Sequence, residues 1–171
     1  MKKVTIVKAL FVFTFFMLSV NLHAQEGFHK INVGADLAIP VGDFGDVSSI
    51  GFGASGKVYY GLSNEMNITG LIGYQHFPYK ESEISGGVNI IPLMFGFDYD
   101  FGGFYLEPRL GLNFTSVKVS FMGYSDTVSE TKFGLGLGGG YRITDWDISA
   151  HYNIIEHLNY LGLRVAYSFD L

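Results

Sequence analysis

The sequence contains no cysteine in its 171 residues, which excludes disulfide scaffolds, thiolate metal sites and anchors acylated at a cysteine. Charged residues make up only 16%, whereas soluble domains average roughly 25%. The formal net charge of −5 offers no basic patch for nucleic acid. Only one long apolar run is present, near the N-terminus, although the mean hydropathy is +0.25. The remaining hydrophobicity is therefore distributed along the chain and not concentrated in membrane-spanning helices.

The apolar run belongs to an N-terminal targeting pattern. Lysines come first, an apolar stretch follows at residues 9–20, and Leu-His-Ala ends just before Gln25. A basic start, an apolar core and a small final residue are typical of a secretory signal peptide. We therefore predict a signal peptide at residues 1–24 and a mature domain at residues 25–171. An uncleaved anchor helix is the alternative, but the run falls short of the roughly 20 residues that a span needs.

In the rest of the chain, apolar and polar residues alternate with the period of a β-strand. The last stretch is the clearest example, since Leu163, Val165, Tyr167 and Phe169 share one face while Arg164 lies on the other. Eight such stretches occur, at residues 30–39, 51–62, 66–77, 88–99, 104–119, 132–143, 146–155 and 160–171. Most are about ten residues long, which fits the roughly 9–11 residues of a tilted membrane strand.

The connectors between these stretches alternate in length. Three tight turns at residues 63–65, 101–103 and 144–145 alternate with longer connectors at residues 41–50, 78–87 and 120–131. Short turns at one end and long loops at the other are typical of outer-membrane barrels. We therefore predict an all-β fold, an eight-stranded antiparallel up-and-down barrel that crosses a membrane.

Aromatic residues on the apolar face indicate that this face points outward into lipid. They flank aliphatic residues along the strands, as in the two interfacial girdles of a membrane barrel. The predicted girdle residues are Phe52, Tyr60, Phe104, Phe114, Tyr141, Trp146 and Tyr152. The polar face is rich in Gly, Ser and Asn and lacks the dense charge of a soluble surface. The alternative is a soluble secreted barrel with its apolar face inside, binding an apolar ligand.

If the polar face lines the lumen, four basic and four acidic residues meet there. These are Asp36, Lys57, Asp98, Glu107, Arg109, Arg142, Asp147 and Arg164. Such charges must be paired, because an unpaired buried charge is costly. Register across the turn at residues 144–145 predicts a pair between Arg142 and Asp147. Closure of the last strand on the first predicts that Asp36 lies opposite Arg164.

The chain resembles the small eight-stranded barrels of the OmpA/OmpX type, and more closely the PorT-like outer-membrane barrels of Bacteroidetes. The resemblance is carried by residues 34–43, 104–112, 132–141 and the final strand. It implies location in the bacterial outer membrane, contact with its lipid, and insertion by the barrel-assembly machinery. It further implies that the final strand is the assembly signal, which we assign to Leu163, Val165, Tyr167 and Phe169. We expect a monomer without nucleic-acid partners.

No motif predicts catalysis, a cofactor or a metal site, so we expect a non-enzymatic barrel with a structural role or surface contact through its loops. Residues 120–131, which mix aromatic and polar residues, are the candidate contact loop. The alternative is an outer-membrane enzyme acting on lipid A or on peptides. Ser149 and His151, with Glu107 or Asp147, could form a hydrolytic set. Their Ser-Ala-His order reverses the His-x-Ser order of lipid A deacylases, so we expect His151 to be a hydrogen-bonded interior residue.

The targeting segment and the lipid-facing girdles predict behaviour on cell fractionation. The protein should sediment with the outer membrane and resist extraction by alkaline carbonate, because its apolar face is embedded in lipid. Immunoblotting of fractions measures this. Recovery in the soluble periplasmic fraction would contradict the membrane assignment.

Overall fold

The computed structural model describes residues 27–81, 85–121 and 124–171, so the predicted signal peptide at residues 1–24 lies outside the described residues. The described residues form eight strands and one single-turn helix, α1 (Asp43–Val47). The strands are β1 (Gly27–Pro40), β2 (Gly51–Gly61), β3 (Met66–Pro78), β4 (Ser85–Asp100), β5 (Phe104–Phe121), β6 (Tyr124–Ile143), β7 (Trp146–Ile155) and β8 (Tyr160–Asp170).

The eight strands form a closed antiparallel barrel in which each strand pairs with its neighbours in sequence and β8 pairs with β1. This confirms the predicted fold. The seam runs from Lys30 opposite Asp170 to Pro40 opposite Tyr160, so Asp36 lies directly opposite Arg164 as predicted. Closure satisfies the hydrogen-bonding groups that an open sheet edge would expose to lipid.

Two prolines inside strands interrupt the ladder locally. Beside Pro92, pairing between β3 and β4 lapses from Ile72–Leu93 to Gln75–Ile90 and resumes in the same register. Beside Pro108, pairing between β4 and β5 lapses and resumes in the same way. Proline has no N–H to donate, so the ladder loses bonds at these positions without a change of register.

The outward face of the barrel is apolar over the height of a bilayer. On β5, Phe104 and Phe114 bracket exposed leucines, and the next outward residue toward the loops is Ser116. The stretch between the two phenylalanines is about 34 Å along the strand, and a tilt of about 40° reduces this to roughly 25 Å, the height of a lipid-facing band. The interpretation as a soluble barrel with an apolar interior is therefore wrong. None of the helices in the described residues is long and apolar enough to cross a membrane.

The connector predicted at residues 120–131 is largely strand, which corrects the sequence interpretation. β5 and β6 continue as a hairpin whose pairing extends from Ser116–Ser129 to Phe121–Tyr124. The valines and threonines of this region, Val117, Val119, Thr127, Val128 and Thr131, favour an extended backbone. The candidate contact loop is therefore a hairpin that projects beyond the rest of the barrel.

The end of the barrel that carries the longer connectors, here called the loop end, contains an apolar cluster that the sequence did not predict. Phe44 of α1 is 2% exposed and packs against Phe77, with ring centroids 4.9 Å apart. Phe77 in turn contacts Tyr160 at 5.5 Å. Ala38, Val88, Ile90 and Ile155 complete the cluster. The opposite end, which carries the tight turns, is called the turn end.

The alternation of connector length predicts membrane orientation. Proteases added to intact cells should cut, if at all, in residues 41–50 or residues 78–87, because outer-membrane barrels place long connectors outside. Mass spectrometry of the fragments identifies the sites. Cleavage at residues 63–65 in intact cells would show the inverse orientation.

Candidate functional site

The structure places all eight predicted charged residues inside the barrel. Lys57, Asp98, Glu107 and Asp147 are at most 1% exposed, and Asp36 and Arg164 are also buried. Arg109 and Arg142 are partly buried. Every one lies on the inward face because its position alternates with the apolar residues that face lipid. The strand period thus fixes which side of the wall each charge occupies.

Glu107 is the centre of the network. Its carboxylate accepts a hydrogen bond from Lys57 Nζ at 3.1 Å and from Thr69 Oγ1 at 2.5 Å. His151 Nε2 lies 3.0 Å from the same carboxylate. Four strands therefore meet at one acidic group in the middle of the lumen, which satisfies a charge that would otherwise be stranded there.

Two tyrosines lie between the basic residues Lys57 and Arg142, on the turn-end side of Glu107. Tyr59 and Tyr105 both donate their hydroxyls to Asp147, at 3.1 and 2.8 Å. Lys57 Nζ lies 4.9 and 5.2 Å from their ring centroids, and the Arg142 guanidinium carbon lies 5.3 and 4.0 Å from the same rings. Each tyrosine thus contributes a hydrogen bond to an acid and a ring face to two cations.

Arg142 closes the network at the turn end. It donates to Asp98 at 2.5 Å and to Asp100 at 2.6 Å, and its Nε lies 3.7 Å from Asp147. Asp98 also accepts from Asn67 at 3.1 Å. The predicted pairing of Arg142 with Asp147 is present in the register, but the shorter contacts go to the two acids of β4. Asp100 therefore belongs to the network in addition to the eight predicted charged residues.

Arg164 and Asp36 lie opposite each other, but no hydrogen bond joins their side chains. The closest approach is 3.8 Å between Arg164 Nε and Asp36 Oδ1. Arg164 Nε donates instead to Ser55 Oγ at 2.7 Å, and its Nη2 donates to Asn32 at 2.8 Å. The predicted register is confirmed, whereas the direct hydrogen-bonded pair that it suggested is not formed.

Arg109 differs from the other cations because its hydrogen-bond partner is an amide. Arg109 Nη2 donates to Asn153 Oδ1 at 2.7 Å. Gly136 lies between them on β6, and a Cβ placed there would come within 2.7 Å of the Arg109 side chain. Glycine on the inward face of β6 therefore makes room for large side chains from neighbouring strands in a narrow interior.

The residues of the possible hydrolytic set are buried inside the barrel. His151 is 3% exposed and bonds to Glu107, and Ser149 is 5% exposed on the same inward face. The continuous strand wall separates these atoms from the lipid. Among the described residues, no group of three His, Asp or Glu side chains could hold a metal ion. His151 is the interior hydrogen-bonded residue that the sequence predicts.

The predicted girdle residues all face outward. Tyr60, Phe104, Tyr141 and Trp146 lie toward the turn end, and Phe52, Phe114 and Tyr152 lie toward the loop end. The predicted assembly residues of β8, Leu163, Val165, Tyr167 and Phe169, are likewise exposed on the outward face. Tyr167 packs edge-on against Trp146 at 5.3 Å, which joins the last strand to the turn-end aromatics.

Several members of the network were not predicted from the sequence. They are Asn32, Tyr59, Asn67, Thr69, Asp100 and Tyr105. Except for Asp100, which ends β4, each occupies an inward position that the alternation already identifies. The sequence signal that could have identified them is a polar or aromatic residue at an inward position next to a buried charge.

Two double-mutant cycles can rank the buried contacts. Lys57→Met with Glu107→Gln should show a coupling of roughly 3 kcal/mol, because breaking a fully buried ion pair typically costs about 3–5 kcal/mol. Asp36→Ala with Arg164→Ala should show a coupling of about 1 kcal/mol or less, since their closest approach is 3.8 Å without a hydrogen bond. Urea unfolding in detergent, followed by the gel shift of the folded barrel, measures both. Equal coupling in the two cycles would contradict this ranking.

Comparison with known proteins agrees with this architecture. Solved structures with the same fold include Ail, the attachment invasion locus protein of Yersinia pestis (TM-score 0.65, 20% identity, covering 84% of this chain and 99% of Ail). The N-terminal barrel domain of Pseudomonas aeruginosa OprF has a TM-score of 0.60 at 15% identity, covering 84% of this chain and all of the domain. Neisserial surface protein A has a TM-score of 0.55 at 18% identity, covering 84% and 97%.

The sequence comparison is more specific than the structural one. The chain matches no curated protein. The family described as "Outer membrane protein beta-barrel domain" matches residues 10–169, nearly the whole chain. With a closed barrel, a lipid-facing apolar band and structural neighbours from bacterial outer membranes, the chain belongs to the outer membrane protein β-barrel domain family and is a bacterial outer-membrane protein.

Proposed function

We propose that this barrel is a non-enzymatic contact protein whose binding element is the hairpin formed by β5 and β6. The observation that carries the proposal is a free strand edge. Residues 124–133 of β6 pair with β5 on one side, and pairing with β7 begins only at Gly134. Within the described residues, the other edge of this stretch has no strand beside it. An unpaired edge offers a row of backbone donors and acceptors to an extended segment of another protein.

The charge of the loop end favours a neutral or basic partner. Six acids and three lysines lie there among the described residues: Asp43, Asp46, Glu81, Asp126, Glu130 and Glu156 against Lys80, Lys118 and Lys132. Ail has been crystallised with the heparin analogue sucrose octasulfate. The acidic loop end here disfavours a polyanion of that kind, because like charges repel. An extended peptide of neutral or positive charge is the better match.

The proposal has other elements besides the contact hairpin. The non-enzymatic role is supported by the enclosure of Ser149 and His151, which leaves no accessible acid–base set in the lumen. Lipid contact by the apolar band and a monomeric state are parts of the same proposal. So are delivery by the barrel-assembly machinery through β8 and placement among the PorT-like barrels, which rests on residues 34–43, 104–112, 132–141 and the final strand.

A peptide-binding experiment tests the free edge. The probe is a fluorescent synthetic copy of residues 112–121, because this segment of β5 already pairs with residues 124–133 from the other side. Fluorescence anisotropy with the barrel in nanodiscs should give saturable binding with a Kd on the order of micromolar, as expected for a short extended ligand. A scrambled peptide of the same composition is the control for partition into lipid.

A shortened variant provides the matched protein control. Residues 117–128 are replaced by Asn-Gly, which joins the directly paired Ser116 and Ser129 through a two-residue hairpin turn. The barrel should still fold, and binding of the copy peptide should fall at least about tenfold, because residues 124–128, half of the free edge, are gone. Equal binding by the full-length and shortened proteins would contradict the proposed contact element.

A further inference from the structure

A row of polar residues crosses the inner wall from strand to strand. Gln75 pairs with Gly53, Gly53 with Asp36, Asp36 with Arg164, and Arg164 with Ser149. All four polar residues are at most 8% exposed. Because the strands of a barrel tilt against its axis, a row perpendicular to the strands climbs along the lumen. This row rises from Ser149 near the turn end to Gln75 near the loop end.

Each of the four side chains keeps one buried polar atom without a protein partner. Within the described residues these atoms are Gln75 Oε1, Asp36 Oδ2, Arg164 Nη1 and Ser149 Oγ. Buried polar groups are normally hydrogen-bonded, and small polar molecules such as water fill that role where protein atoms do not. Gly53 adds no side chain between Gln75 and Asp36, because the β3 backbone approaches it so closely that a Cβ there would clash with Tyr74 O. The row has the donors and acceptors of a path for water.

The loop-end limit of this row is the apolar cluster around Phe44. Phe77 is the next inward residue of β3 after Gln75, and it packs against both Phe44 and Tyr160. Phe44 is the only member of this cluster among the described residues that comes from α1; the others belong to the strands or to the segments that directly follow them. Phe44 therefore covers the lumen from a segment that is separate from the strand wall.

The segment that carries Phe44 is tied to the barrel by a few hydrogen bonds. Val41 N–H donates to Asn159 O at 2.9 Å, and Ser49 N–H donates to Pro78 O at 2.8 Å. Lys80 N–H donates to Val47 O at 3.1 Å, and Lys80 Nζ contacts Gly45 O. Gly42 has a positive φ of 64°, which lets the chain turn sharply just before α1. The segment is thus a short strap with one large side chain turned into the barrel.

At the turn end, the path meets the tyrosine and arginine layers. Tyr59 and Tyr105 are at most 1% exposed behind Arg142, which is held by Asp98 and Asp100. Solvent reaches a polar cavity of about 330 Å³ lined by Lys30, Asn67 and Arg142, among others. Arg142 forms part of this cavity wall, so the row behind it is closed from this side.

We propose that the row from Ser149 to Gln75 is a path for water and small polar solutes, and that Phe44 is the stopper that closes it at the loop end. The stopper is a single apolar side chain on a strap, so displacement of α1 would join the polar row to the loop-end solvent without opening the strand wall. This assignment is independent of the contact role of the hairpin.

Thiol labelling tests the stopper, and the absence of native cysteine makes every introduced thiol unique. Gln75→Cys places the thiol beneath the stopper. The probe is a cationic, water-soluble methanethiosulfonate, and the rate of the mass increase is measured on the folded barrel in nanodiscs. Phe44→Ala in this background should raise the labelling rate about tenfold or more, because a local seal is lost while the barrel stays closed. The gel mobility of unheated samples shows that each variant is folded.

A matched control removes a phenylalanine from the outside of the same end. Phe52 is 57% exposed toward lipid, so Phe52→Ala should leave the labelling rate of Gln75→Cys unchanged. If Phe44→Ala does not yield a folded barrel, replacement of residues 43–47 by glycine and serine serves as the second variant. Three results would each overturn the proposal. They are rapid labelling of Gln75→Cys with Phe44 present, slow labelling in the folded Phe44→Ala or 43–47 variant, and an equal effect of Phe52→Ala.

Discussion

The constraint on which this structure depends is that no backbone hydrogen-bonding group can remain unpaired in lipid. The β1–β8 seam meets it by aligning Lys30 with Asp170 and Pro40 with Tyr160, without an irregularity between them. A closed ring of eight strands leaves a narrow interior that side chains largely fill. Closure therefore determines the rest: the apolar face must cover the outside, and every charged residue on the other face must find a partner within a narrow lumen.

The charged residues of the lumen find their partners in successive layers. Asp147, Glu107 and Asp98 each gather donors from more than one strand, and Tyr59 and Tyr105 lie between Lys57 and Arg142. Each layer links strands that are distant in sequence, so the polar contacts cross-brace the barrel. Such contacts are favourable only when complete, because removing one partner leaves a charge in a site that cannot solvate it. The interior thus restrains the strand register as well as filling space.

Alternation in the sequence was sufficient to predict the strands, the register at the turn at residues 144–145 and at the seam, and the inward position of all eight charged residues. It could not predict partners, because a two-residue period assigns a side of the wall but no height within a tilted barrel. Arg142 therefore prefers Asp98 and Asp100 to Asp147, which faces it across the turn. The prediction of a loop at residues 120–131 was wrong. Neither face of a projecting hairpin has to be buried, so its strands can be polar and show no apolar alternation.

The apolar cluster at the loop end has a different physical origin from the polar network below it. Ala38, Phe77 and Ile90 lie on inward positions, where the network residues are mostly polar, and Phe44 joins them from outside the strands. Near a barrel mouth, a polar lining would admit solvent, whereas apolar side chains exclude it and contribute burial energy. The inward face is therefore polar where charges must be compensated and apolar where the lumen must end, and this change of character along one face separates the two regions.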